Sequence, residues 1–184
     1  MTKIHQSFSE LIGNTPLLEL HNYRRNRGLD ARILAKIEYF NPAGSVKDRI
    51  AWGLIKQAED EGRLRRGDLI VDVTSGNTGI GLAAVAASRG YRTKFYLSDN
   101  ISRDKVKLLQ HFGAEIVTVK NEFFLDPEAL EKISARIREE NPAAFFTDQL
   151  SNPANPQTHF ETTGPEIWRD TNGAVDIFVG GVGT

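Results

Sequence analysis

This 184-residue chain has no cysteine and one methionine. Without thiols it can hold no disulfide, no CxxC redox pair and no thiolate metal site. It also lacks charge of one sign: 23 Lys plus Arg stand against 24 Asp plus Glu, a net charge of −1. That balance gives no broad positive field to gather nucleic acid or an anionic membrane. No apolar run approaches the ~18 residues of a membrane span, and the first thirteen residues hold no signal-peptide core. The four histidines, His5, His21, His111 and His159, fall at no ligand spacing, and neither HExxH nor a paired-carboxylate motif occurs, so no metal is expected. What is present is ordinary for a cytoplasmic globular protein: 40% hydrophobic and 26% charged residues, enough for a core.

The order of segments predicts an α/β fold. Short apolar runs bounded by turn residues read as strands over 32–38, 69–73, 93–97, 115–119, 144–147 and 175–179. Helical periodicity falls between them: from Ser45 to a stop at Gly62, from Gly79 to Gly90, a stretch around Val106 and Leu109 ending at Gly113, and a segment opened by Asp126-Pro127 with Leu130, Ile133 and Ile137 on one face. Strand and helix alternate from about Leu69, which argues for parallel strands covered by helices. The run Ser151-Asn152-Pro153-Ala154-Asn155-Pro156 reads as a linker, with a helix after it to about Asp170. Trp52 and Trp168 read as packing residues, and Arg103, Lys105 and Lys107 as a solvated helix face. The chain stops in Gly180-Gly181-Val182-Gly183-Thr184, a glycine turn after an apolar run that ordinarily feeds a helix. It is therefore expected to be a piece of something longer.

Two segments carry chemistry. In Asn41-Pro42-Ala43-Gly44-Ser45-Val46-Lys47-Asp48-Arg49, Ser45 is an N-cap candidate and Asp48 its capping-box acid. Lys47 then falls in the first helical turn. It is either a solvated surface lysine or an amine whose pKa is lowered by the helix start and by burial, and hence a nucleophile toward an aldehyde. Asp48 and Arg49 read as capping and surface pairing. In Thr74-Ser75-Gly76-Asn77-Thr78-Gly79, the glycines allow a tight strand-to-helix turn whose amides and hydroxyls could cradle a carboxylate or phosphate, or could simply cap the helix. The letters Gly79 to Ala84 also fit G-x-G-x-x-A, with Asp99 about twenty residues on, but those glycines fall inside the helix rather than before it, which disfavours a dinucleotide site.

These two segments resemble the cysteine synthase and cystathionine β-synthase family, pyridoxal-phosphate enzymes of fold type II (tryptophan synthase β-like). The likeness extends to Leu11-Ile12-Gly13-Asn14-Thr15-Pro16-Leu17, Phe112-Gly113-Ala114-Glu115, Asn152-Pro153-Ala154-Asn155-Pro156, Thr163-Gly164-Pro165-Glu166-Ile167-Trp168 and Gly181-Val182-Gly183-Thr184. It implies that Lys47 bonds covalently to pyridoxal 5'-phosphate and then takes the substrate's α-proton. Asn77 would bond the cofactor's ring hydroxyl, and Gly183 and Thr184 would begin its phosphate loop. Thr74, Ser75, Thr78 and Gln149 would hold the amino-acid carboxylate.

The same resemblance implies parallel sheets flanked by helices, with residues 1–49 and 150–184 belonging to an incomplete large domain and 50–149 to an inserted small one. It implies β-replacement on an activated serine, first of all cysteine from O-acetylserine and sulfide, by a homodimer. Cystathionine formation or a diaminopropionate-type amine addition is the alternative, and a non-catalytic module that keeps the scaffold is the alternative of another class. The 184 residues alone would bind cofactor weakly. The departures bear on substrate choice: Val73 replaces the family's usual proline, Ser98-Asp99-Asn100 replaces Met-Pro-Glu, and Asp148 before Gln149 is similar to cystathionine β-synthases.

Overall fold

A computed structural model describes residues 4–181 other than Ser75. Near its start β1 (Leu17–Glu19) is followed by α1 (His21–Asn26) and then by β2 (Leu34–Lys36), which pairs antiparallel with β1. The strand expected over 32–38 is thus shorter and lies in a separate two-stranded ribbon. After α2 (Lys47–Asp60) the expected alternation appears: β3 (Leu69–Thr74), α3 (Asn77–Arg89), β4 (Arg92–Ser98), α4 (Arg103–His111) and β5 (Glu115–Val119). The short α5 (Glu122–Leu125), α6 (Pro127–Glu140) and β6 (Phe145–Phe146) complete a parallel sheet in the order β5-β4-β3-β6.

β3 is central and mostly buried, which is why its sequence is an apolar run broken only by Asp72 before the closing Thr74, rather than an alternation. On one face of the sheet α3 packs with α2, bringing Ala51, Ile55 and Ala58 against Leu82, Val85, Phe95 and Leu97. On the other, Ile137 of α6 meets Val71 and Tyr96. The small residues of α3 set the spacing. A methyl group on Gly81 would stand 3.0 Å from the Lys47 carbonyl oxygen and 3.1 Å from Ala51 Cβ. Helix α2 therefore comes to near-backbone contact with the first turns of α3, and the start of one helix is set beside the start of the other.

Three expectations need correction. The linker read over 151–156 is half helix: α7 (Ala154–Thr158) packs on α2, with Thr158 Oγ1 in the space where a methyl on Gly53 would come to 1.9 Å. A π-helical turn, His159–Thr163, then leads into α8 (Gly164–Asp170), whose Trp168 is 63% exposed rather than a packing residue. The strand expected over 175–179 does not form. Among the described residues no strand runs beside it, and Ile177 and Val179 are 82% and 88% exposed. An apolar run becomes a strand only when another backbone accepts its hydrogen bonds. Among the described residues no helix is long and apolar enough to cross a membrane, and no three His, Asp or Glu side chains gather as a metal-ion set.

Candidate active site

The turn before α2 is held from both sides. Gly44 adopts φ +90, which favours glycine. Buried Asn41 accepts from Gly13 N (2.8 Å) and donates to Glu38 Oε2 (2.8 Å). Ser45 Oγ accepts from Lys47 N (3.1 Å), but Ser45 stands one residue ahead of the cap position, which Val46 occupies without a side-chain cap, so the expected Ser45 cap is displaced. Asp48 does not complete the capping box. Its Oδ2 accepts from Ala43 N (2.6 Å) and pins the turn instead, while its buried Oδ1 has no partner among the described residues. Burial, aided by the charge of Glu38, pushes the Asp48 carboxyl up to about 6 against the pull of the Ala43 amide.

Lys47 is the first residue of α2 and is half-buried. Burial alone lowers its pKa from the ordinary lysine value. Among the described residues no carboxylate lies within ion-pair distance of it. An amine that is partly desolvated and has no counter-ion carries more of its neutral, nucleophilic form.

Across from it β3 ends at Thr74 and turns through Gly76 (φ +151) into α3. Thr74 Oγ1 accepts from Gly76 N (3.4 Å) and Gly79 N (3.3 Å). That cap lets the helix begin at Asn77, two residues earlier than Gly79, where the sequence places it. Thr78 Oγ1 donates to Gln149 Oε1 (2.6 Å), which leaves Gln149 Nε2 with no hydrogen bond to a described residue. The amides of Asn77 and Thr78 also donate to no described residue. Donors left open at a helix start make a seat for an anion.

Lys47, Thr74, Gly76, Asn77, Thr78 and Gln149 thus line one cavity of about 160 Å³, together with Lys105. The first five were legible from two motifs and Gln149 from the resemblance. Lys105 was missed, because its spacing on α4 is that of a solvated face. Ser75, Gly183 and Thr184 lie outside the described residues. Hollows of about 410 and 510 Å³ occur elsewhere, the first beside α6 and the second between α2 and α7. Size favours them, but neither faces a half-buried amine or an open helix start, so the chemistry argues for the smaller one. The alternative G-x-G-x-x-A pattern is spent on packing: a methyl on Gly79 would meet Thr74 Cγ2 at 2.6 Å, and Gly81 faces the Lys47 backbone.

Arg49, expected at the surface, is 1% exposed. It donates from Nε and Nη2 to Glu38 (2.8 and 2.9 Å) and from Nη1 and Nη2 to Glu166 (both 2.7 Å), and Lys36 Nζ adds a bond to Glu166 (2.7 Å). Burial works against the Glu166 charge, but Arg49, Lys36 and the Asn14 amide outweigh it and hold the carboxyl down at about 2. The same bonds hold Glu38 below its usual range and Arg49 above its own. The network clasps α8 and the β1–β2 ribbon to the start of α2. His159, in the π-turn, is kept below its ordinary value by burial first and then by the positive charges of Arg49 and Lys47.

Asp72 of β3 is a buried acid with no cation bonded to it. Thr147 Oγ1 donates to its Oδ2 (2.8 Å), and burial pushes the carboxyl up to about 7.

A carbonyl-seeking amine facing an anion seat, mounted where a parallel strand runs into a helix, defines a class of α/β protein that can hold an aldehyde cofactor by a covalent bond. Pyridoxal phosphate offers an aldehyde, a ring hydroxyl and a phosphate. The residues present fit the first two, Lys47 for the aldehyde and the exposed Asn77 side chain for the hydroxyl. A family model described as pyridoxal-phosphate dependent enzyme matches residues 8–184. The chain belongs to that family, and its cofactor is pyridoxal 5'-phosphate.

The chain is 42% identical to cystathionine beta-synthase of Apis mellifera over all 184 residues, which cover 36% of that protein. It is 44% identical to Cysteine synthase 1 of Neurospora crassa over 181 residues, 98% of this chain and 48% of that one. The crystal structure of cysteine synthase from Entamoeba histolytica matches with a TM-score of 0.84 at 39% identity, over 95% of this chain and 52% of that one. The chain therefore spans between about a third and a half of these relatives' length.

Proposed function

We propose that this chain carries the covalent lysine and the substrate loop of a β-replacement enzyme, and that the reaction is cysteine formation from O-acetylserine and sulfide. The observation that supports the reading best is the meeting of Lys47 and the α3 start in one cavity, since β-replacement needs an amine within reach of the atom whose carboxylate is being held.

In this reading Lys47 Nζ would hold the cofactor and, once free, would accept the substrate's α-proton. When bound, the cofactor supplies the electron sink. The Asn77 and Thr78 amides, Gln149 Nε2 and the Thr74 hydroxyl fix the carboxylate and so orient the α-C–H bond toward Lys47, with Ser75 assigned to the same task. Asn77 would hold the ring hydroxyl, and Gly183 and Thr184 would open the phosphate loop. Residues 50–149 act as the small domain, supported by the sheet from β3 to β6, while 1–49 and 150–184 belong to the large one. By the likeness to cysteine synthases the protein works in the cytoplasm as a homodimer.

Cystathionine formation is the second reading, favoured by Asp148. This residue stands at φ +51 beside Gln149, bonded to Arg138, in the Asp-Gln pair typical of cystathionine β-synthases. A mass-spectrometric product screen with sulfide, homocysteine and ammonia separates the two. Cysteine as the main product is expected, and cystathionine without cysteine would overturn the first reading.

A further inference from the structure

Lys105 is not the solvated residue that its spacing predicts. Ser102 Oγ accepts from Lys105 N (3.4 Å), which sets the lysine at the third position of α4. From there its side chain crosses to the Gly76 turn. A methyl group on Gly76 would stand 3.0 Å from Lys105 Cδ, 3.2 Å from Cε and 2.7 Å from Nζ. Any residue with a Cβ would evict that stem, and φ +151 demands glycine independently. Lys107, two residues on, behaves differently: it is exposed and faces Asp104 of its own helix at 3.9 Å. Among the described residues no carboxylate lies within ion-pair distance of Lys105. The described wall of the cavity consequently holds two amines and no acid.

Two amines need not share a task. Lys47 is placed at the start of α2 for the carbonyl. Lys105 Nζ rests on the Gly76 turn that opens the α3 amides of Asn77 and Thr78, and Gln149, whose Nε2 has no described partner, lines the same cavity. These donors line one cavity, and the ammonium adds the one full charge among them. We infer that Lys105 donates directly to the substrate's α-carboxylate, so that the site takes an α-amino acid and rejects the corresponding amide. The inference rests on the β-replacement reading and adds to it a charged selector for the acid group.

The test uses the cofactor-loaded protein, titrated with L-serine and with L-serinamide while the cofactor absorption is followed. The parent should bind L-serine more tightly than L-serinamide. Lys105→Met should weaken L-serine about tenfold, ~1.4 kcal/mol, and leave L-serinamide unchanged, and Lys105→Arg should restore most of the loss. A second readout is independent of the cofactor spectrum: acetic anhydride labelling of Lys105, followed by mass spectrometry, should be blocked by L-serine and not by L-serinamide. Unchanged L-serine binding in Lys105→Met, equal weakening of both ligands, or labelling indifferent to L-serine would overturn the inference while leaving the proposed reaction standing. A parent protein whose absorption responds to neither ligand would sink the proposed reaction and this inference with it.

Discussion

Lys47 and Arg49 are two cations in the same helical turn with opposite surroundings. Arg49 is buried and bonded to Glu38 and Glu166. Lys47 is half-buried with no carboxylate near it among the described residues. Burial opposes charge at both places, and the supply of acids decides the outcome. Given two carboxylates, the guanidinium stays charged and clasps three parts of the chain. Denied any, the amine drifts toward its neutral form. The carboxyls sort by the same rule, since Glu166 is held down at about 2 by its cations, whereas Asp72, with no cation bonded among the described residues, is pushed up to about 7.

The sharpest way to break this comparison is to remove each cation in turn and measure urea unfolding. Arg49→Met leaves Glu38 without its cation and Glu166 with Lys36 alone, and loss of one partner from a buried ion pair costs about 3–5 kcal/mol. Lys47→Met removes a charge that nothing balances, and should leave stability within about 1 kcal/mol of the parent. Equal losses would mean that the two cations are not partitioned between scaffold and chemistry.

A pH-dependent effect sharpens the comparison on the acid side. Folded Asp72 keeps its proton up to about pH 7, while the unfolded chain releases it near 3.8. Its contribution to stability is therefore fully present below about pH 3.8 and is lost as pH rises through 7. Glu166 runs the other way: its contribution is present above its ordinary value of 4.5 and is lost as pH falls through about 2. Asp72→Asn should match the parent near pH 4 and exceed it at pH 8 by on the order of 4 kcal/mol, with the gap opening between those values. A gap that is constant with pH would mean that Asp72 is ionised in the folded chain.

The legible parts of this molecule are those fixed by neighbours in sequence. The strand–helix rhythm, the Ser45 bond to the Lys47 amide, the Lys47 position and the Gly76 turn each depend on a few adjacent residues. What escaped depends on distance. Arg49 reads as a surface residue because its acids lie 11 and 117 residues away. Lys105 reads as a helix face because only the passage from β4 into α4 brings it over Gly76. The 175–179 run reads as a strand because a short apolar run cannot announce whether a partner strand stands alongside.

The central claim is that Lys47 is the residue that bonds the cofactor. Borohydride reduction of the pyridoxal-phosphate-loaded protein, followed by peptide mapping, tests it most directly. The account predicts a reduced pyridoxyl group on Lys47 and none on Lys36 or Lys105. A label on another lysine, or an unlabelled Lys47 in protein that retains the cofactor, would contradict it.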